Sequence, residues 1–261
     1  MFISNPFAEL SASISPILMQ IYVVVMIVLV VAGTLFDMAH KRSATYFFEN
    51  WRKAKSKGTL QVGSAHLVVL AVKTGLVEVL TSAEFCTEQR RYAHLLTMYG
   101  FVLYVLATVI MVFGYPTPAT PTPVILPLLW NLGALMICGG GYWFWFCIRV
   151  DVAAEGHSPL RLVRADLFIL SLLASATLGF IWAFLQAVGS PGTGLFLALY
   201  LIATTVLFGS IPWSKFSHMF FKPAAAFEKR VAEANESRSN LPAPADKPEV
   251  FGSARELPRH Y

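Results

Sequence analysis

All 20 Lys and Arg residues of this chain fall in three stretches, 37–93, 149–166 and beyond 212, and none lies in 1–36, 115–123 or 189–194. Between these basic stretches run apolar segments close to the ~20 residues that a membrane-crossing helix needs. A water-soluble domain carries about 25% charged residues spread over its surface. Here the charged share is 13% and the hydrophobic share 56%, so a soluble fold is excluded. The pattern predicts an all-α integral membrane protein with spans over 17–36, 94–114, 124–148, 167–188 and 195–211. Five crossings put every basic stretch on one side, and the excess of Lys and Arg in cytoplasmic loops makes that side the cytoplasm. The expected topology has a periplasmic N-terminus and a cytoplasmic C-terminus in a bacterial inner membrane. The membrane domain covers 1–222, with a cytoplasmic segment at 37–93, and a flexible cytoplasmic tail follows over 223–261.

The connections support that frame. Met1–Pro16 holds no Lys or Arg, so it lacks the basic start of a secretory leader, and the first span is expected to be retained. Tyr115–Pro123 (YPTPATPTP) is a charge-free Pro/Thr turn. Ser64–Leu80 is interrupted by Lys73 and Glu78, and is read as a cytoplasmic amphipathic helix lying on the membrane surface or against a partner. A sixth span there is disfavoured, because it would divide Lys41–Lys57 from Arg90–Arg91 across the membrane. Gly139–Gly140–Gly141 suits close approach of a neighbouring helix. Cys86, Cys138 and Cys147 lack metal-type spacing and are read as free thiols.

Polar side chains at membrane depth are costly and mark function. His94 opens the second span and His218 follows the fifth, so both lie at one depth on the basic side. Two imidazoles so placed could be the axial ligands of a haem iron, each ring oriented by a further hydrogen bond. They equally suit two interfacial histidines. Arg91 and Lys215 flank them and could pair with the haem propionates, or simply set topology. Asp166 opens the fourth span, either as a helix cap or as a proton relay. Tyr104 and Tyr200 are expected in mid-membrane, hydrogen-bonded to each other or filling space with their rings.

His94, Gly100 and Phe101 (H-x5-G-F), with Pro212–His218 (PWSKFSH), Phe85–His94 and the Arg164–Asp166 pair, resemble the haem-binding membrane subunits of the nitrate reductase gamma type. The likeness is closer to those of heterodisulfide reductase and the quinone-interacting oxidoreductase, and it runs over roughly 80–222. It includes the membrane anchors of adenylylsulfate reductase. That family pattern has four ligating histidines. Here Tyr104 and Tyr200 stand where the second pair would be, so the resemblance implies one b haem, held by His94 and His218. It further implies a quinone substrate and a cytoplasmic flavin/iron–sulfur oxidoreductase as partner, in sulfur metabolism. The implied function is a membrane anchor and electron-transfer subunit, non-catalytic or quinone-reactive. The alternatives are a haem-free structural anchor of such a complex and a small transporter. The latter is disfavoured because no charge lies inside the predicted spans and no repeat is visible.

Overall fold

The computed structural model describes residues 2–40, 62–82, 88–149, 162–163, 166–213 and 218–237, with residues 45, 47–49, 51, 52, 56 and 60. Every regular element among the described residues is helical. This is what a bilayer demands of a chain with no barrel, since each backbone N–H and C=O must find a partner within its own segment.

Asn5 starts the first helix, α1 (Pro6–Leu10): its side-chain oxygen accepts from the amides of Phe7 at 3.0 Å and Ala8 at 3.2 Å. Pro16 then opens α2 (Pro16–His40), a position where a missing N–H costs nothing. The helix α3 covers Ser64–Thr74 and continues in wider, π-type turns through Gly75–Leu80. Next come α4 (Glu88–Gly114), ended by the Pro/Thr turn, and α5 (Ile125–Trp143), which also continues in π-type turns, over Phe144–Ile148. The helix α6 (Leu167–Ala187) is followed by α7 (Thr193–Gly209), a 3-10 turn at Ile211–Trp213 and α8 (His218–Ala234).

Four of these are long and apolar enough to cross a membrane: α2, α4, α5 with its extension to Ile148, and α6. They make the chain a multi-pass membrane protein by length and composition. The fifth expected span, α7, has 17 residues, about 25 Å of helix. Two boundaries differ from the sequence expectation. The helix α4 begins at Glu88 rather than His94, because Glu, Gln and Arg are good helix formers and the charges end the membrane run without ending the helix. The helix α8 runs across the boundary placed at 222 and reaches Ala234. Its residues 223–234 (PAAAFEKRVAEA) are mostly strong helix formers, and Val231 and Ala232 are buried.

In the bundle α4 packs on α5, α5 on α6, α6 on α7, α7 on α2 and α2 back on α4. Between hydrocarbon-embedded helices the attraction comes from close packing rather than from expelled water, so small residues sit at the crossings. The α4–α5 contact is backbone to backbone. A Cβ on Gly133 would stand 2.7 Å from the carbonyl oxygen of Gly100, and one on Gly140 would stand 2.7 Å from that of Ala93. The core between the four longest helices and α7 is aromatic. Tyr104 stacks on Trp130 (4.9 Å between centroids), Tyr200 stacks on Trp182 (5.7 Å), and Phe7 of α1 meets both tryptophans. Thr108 accepts the indole N–H of Trp130 at 3.0 Å, and Ser175 and Thr204 share a hydrogen bond of 2.8 Å.

Tyr104 and Tyr200 therefore do meet, and they fill space with their rings. Both are buried and both converge on Gly179, where an added Cβ would lie 2.5 Å from Tyr104 Oη and 3.0 Å from the Tyr200 ring. The Tyr104 hydroxyl has no hydrogen-bond partner among the described residues.

Candidate functional site at the basic end of the bundle

The end of the bundle that carries the basic segments is built differently from its middle. Thr81 and Ser82 leave the last turn of α3 and reach the first turns of α4. Arg91 and His94 are three residues apart on α4 and so share a face. The carbonyl oxygen of Thr81 accepts from Arg91 Nε at 2.7 Å, and the Ser82 hydroxyl lies 3.0 Å from His94 Nδ1. One level further along, Tyr99 Oη donates to the Leu80 carbonyl at 2.6 Å. Three consecutive residues of the α3 exit thus hold three side chains of α4.

Ser82 occupies this place at a cost. Its φ is +47°, in the left-handed region where a side chain with Cβ is strained by about 1 kcal/mol or more. It is also 1% exposed. A strained, buried serine whose hydroxyl meets an imidazole is a built polar contact rather than a solvated loop. The contact with Ser82 fixes the orientation of the His94 ring through Nδ1.

Two buried carboxyl side chains lie toward this end. Asp37 in the last turn of α2 is 1% exposed. It continues the buried stripe of that helix, Met26, Gly33 and Thr34, against the turn that begins at Ile211. The sequence reading placed Asp37 in a polar segment and held the spans free of charge; its register with Gly33, four residues before it, was the overlooked signal. Asp166 stands at the cap position of α6 but makes no side-chain cap bond. Its carboxylate instead accepts from Arg149, one contact being Nε to Oδ1 at 2.9 Å, and from the Val163 amide at 2.9 Å. Arg149 in turn lies over the Trp145 ring at 4.1 Å. The cap expectation is replaced by an ion pair that joins the exit of α5 to the start of α6.

Of the residues singled out by sequence, His94 and Arg91 are brought together on one face of α4. His218 opens α8, but its side chain lies outside the described residues, as do Lys215, Arg164, Cys86 and the Trp213 side chain. No group of three or more His, Cys, Asp or Glu residues poised to hold a metal occurs among the described residues.

Fold and site together define a multi-pass helical membrane protein with its polar contacts gathered at one end. The model of the citrate utilization protein B family matches residues 20–240, and this chain belongs to that family. The citrate utilization protein B of Escherichia coli is 32% identical over 157 residues, which cover 55% of this chain and 39% of the relative. The chain thus spans about two fifths of the length of the curated relative it matches. No solved structure matches.

Family membership corrects the resemblance to nitrate reductase gamma-type haem b subunits and to the adenylylsulfate reductase anchor. With it falls the electron-transfer function, along with haem b, electron transport and sulfur metabolism as descriptions of this chain. The physical reason for the mistaken likeness is that its motifs are generic at a membrane exit. Proline ends the helix, tryptophan sits at the interface, and a cation meets the headgroups. Evenly spaced apolar runs are shared by most multi-pass chains. The quinone and the flavin/iron–sulfur partner were implied by that resemblance and lose its support.

Proposed function

We propose that this chain is a membrane-integral component of citrate utilization, and that Arg91 and His94 form a carboxylate-binding pair at the cytoplasmic end of its bundle. The name of its family suggests the substrate class. The observation that carries the site is the clamp of consecutive residues Thr81 and Ser82 on both side chains. With Nε committed to Thr81, the guanidinium keeps its terminal nitrogens for an anion, and bidentate pairing with a carboxylate is what that group does best. His94 stands three residues along the same face of α4, its ring oriented by the Ser82 hydroxyl.

The proposed topology has five crossings of the bacterial inner membrane, α7 being the fifth, with the N-terminus outside and the C-terminus inside. The one-sided distribution of all 20 Lys and Arg residues supports it.

Titration calorimetry of the full chain in detergent with citrate tests the site. Binding weakened about tenfold in Arg91→Ala and in His94→Ala, as loss of one charge-assisted hydrogen bond requires, is the expected result. Absent binding, or binding indifferent to both substitutions, would sink it.

A further inference from the structure

The helix α3 has two unlike faces. One is occupied: Thr74 is buried, Leu67 and Leu70 are half-buried, and α3 packs against α8. The other presents Val68, Val69, Val72 and Leu76, each more than half exposed. With Lys73 and Val77 they line a shallow hollow of about 320 Å³. These positions recur at helical spacing, so they form one stripe. An apolar stripe of this kind on a chain that already lives in lipid has to be covered by something.

We infer that the occupant is the surface of an anionic bilayer: α3 lies in the headgroup layer, its valines and Leu76 entering the acyl boundary and Lys73 reaching the lipid phosphates. Three observations favour lipid over protein. The first is continuity. Tyr99 Oη ties the end of α3 to α4 at the Leu80 carbonyl, and just beyond Tyr99 the outward residues of α4 are the exposed Val102, Leu106 and Ile110. These are positions that face hydrocarbon on a spanning helix, so the α3 stripe joins a surface already in lipid. The second is charge. The segment 37–93 carries nine Lys and Arg against five Asp and Glu, and each cation near an anionic leaflet contributes about 1 kcal/mol. The third is the form of the stripe itself. A single exposed lysine among valines can lay its stem along the apolar surface and hold its ammonium at the phosphates. Contact with α8, a strongly amphipathic helix beyond the last apolar one, places α3 in a surface layer rather than across the membrane.

The inference stands independently of citrate. It is tested on the full chain with Cys86, Cys138 and Cys147 replaced by alanine and Val69→Cys carrying an environment-sensitive fluorophore. The labelled protein is reconstituted in phosphatidylcholine, with or without phosphatidylglycerol, and quenched by lipids bearing doxyl groups near the headgroup or near the methyl end. Stronger quenching from the headgroup-proximal position, increased by phosphatidylglycerol, is expected. In the anionic membrane Lys73→Gln shifts the docking equilibrium about fivefold toward the undocked state, which is the worth of one cation, and added salt acts in the same direction. Strongest quenching from the methyl end overturns the inference in favour of a further crossing. Quenching by aqueous iodide alone overturns it in favour of a water-exposed face. Protection from every quencher, with Val69→Cys cross-linking between copies, overturns it in favour of a second copy of this chain.

Discussion

The middle of the bundle and its basic end are held together by opposite means. In the middle, α4 and α5 touch backbone to backbone at Gly100, Gly133 and Gly140, and five aromatic rings fill what remains. Shape does everything there, and each contact is shared among many atoms. At the basic end, α3 is held to α4 by three hydrogen bonds, and α5 to α6 by one ion pair. Each of these is a single, removable link. A region fixed by shape specifies the fold and tolerates no exchange of volume, whereas a region fixed by separate polar links can reposition a side chain when a ligand arrives. The division puts separable polar contacts at the end and shape-fitted packing in the middle.

The difference is open to direct attack. Gly133→Leu drives a side chain into the carbonyl of Gly100 and the amide of Tyr104. Because backbone on both sides must move, it is expected to abolish a monodisperse fold in detergent, as read by size-exclusion chromatography. Trp130→Ala empties a fully buried site and should cost about 3 kcal/mol, seen as a fall in Tm of roughly 10 °C, with citrate affinity preserved at temperatures below the transition. Asp166→Asn at the basic end removes a charged partner from Arg149 and should cost about 2 kcal/mol, with a correspondingly smaller fall in Tm. Ser82→Gly is the smallest in stability and the sharpest in meaning. Relief of the left-handed strain offsets the lost hydrogen bond, so Tm moves by less than about 1 kcal/mol equivalent, while citrate affinity falls about threefold as His94 loses its orientation. Equal losses of stability from Trp130→Ala and Ser82→Gly would erase the distinction between the two regions.

Much of the middle was legible beforehand. Helices stand over the apolar runs, with ends within a few residues of them at most boundaries, and four are long enough to cross a membrane, because hydrophobic length and prolyl turns are local properties. Tyr104 and Tyr200 read as mid-depth residues, and their rings reach one another at Gly179 of α6 from α4 and α7. The end was far less legible. Nothing in a serine signals a φ of +47°, or that its hydroxyl meets the imidazole of a residue twelve positions on. Asp166 reads as a cap from its place before an apolar run, while its partner Arg149 lies seventeen residues away in sequence. Asp37 looked like the edge of a polar segment until the turn at Ile211 was seen covering that face of α2. The motif around His218 misled for the reason that makes it common: membrane exits select the same few residues whatever the protein does.

The short helix α1 has a consequence for traffic through the molecule. Asn5 donates to the Tyr115 carbonyl and to Thr122 Oγ1, both at 3.0 Å, and Gln186 Nε2 donates to the Pro6 carbonyl at 2.7 Å. These bonds seat Phe7 between the two core tryptophans like a stopper in the mouth opposite the basic end. A solute travelling along the bundle axis would have to draw that stopper and part the rings beneath it. In this conformation the end of the bundle opposite the basic one is shut by packed rings, and three hydrogen bonds tie the short helix over them.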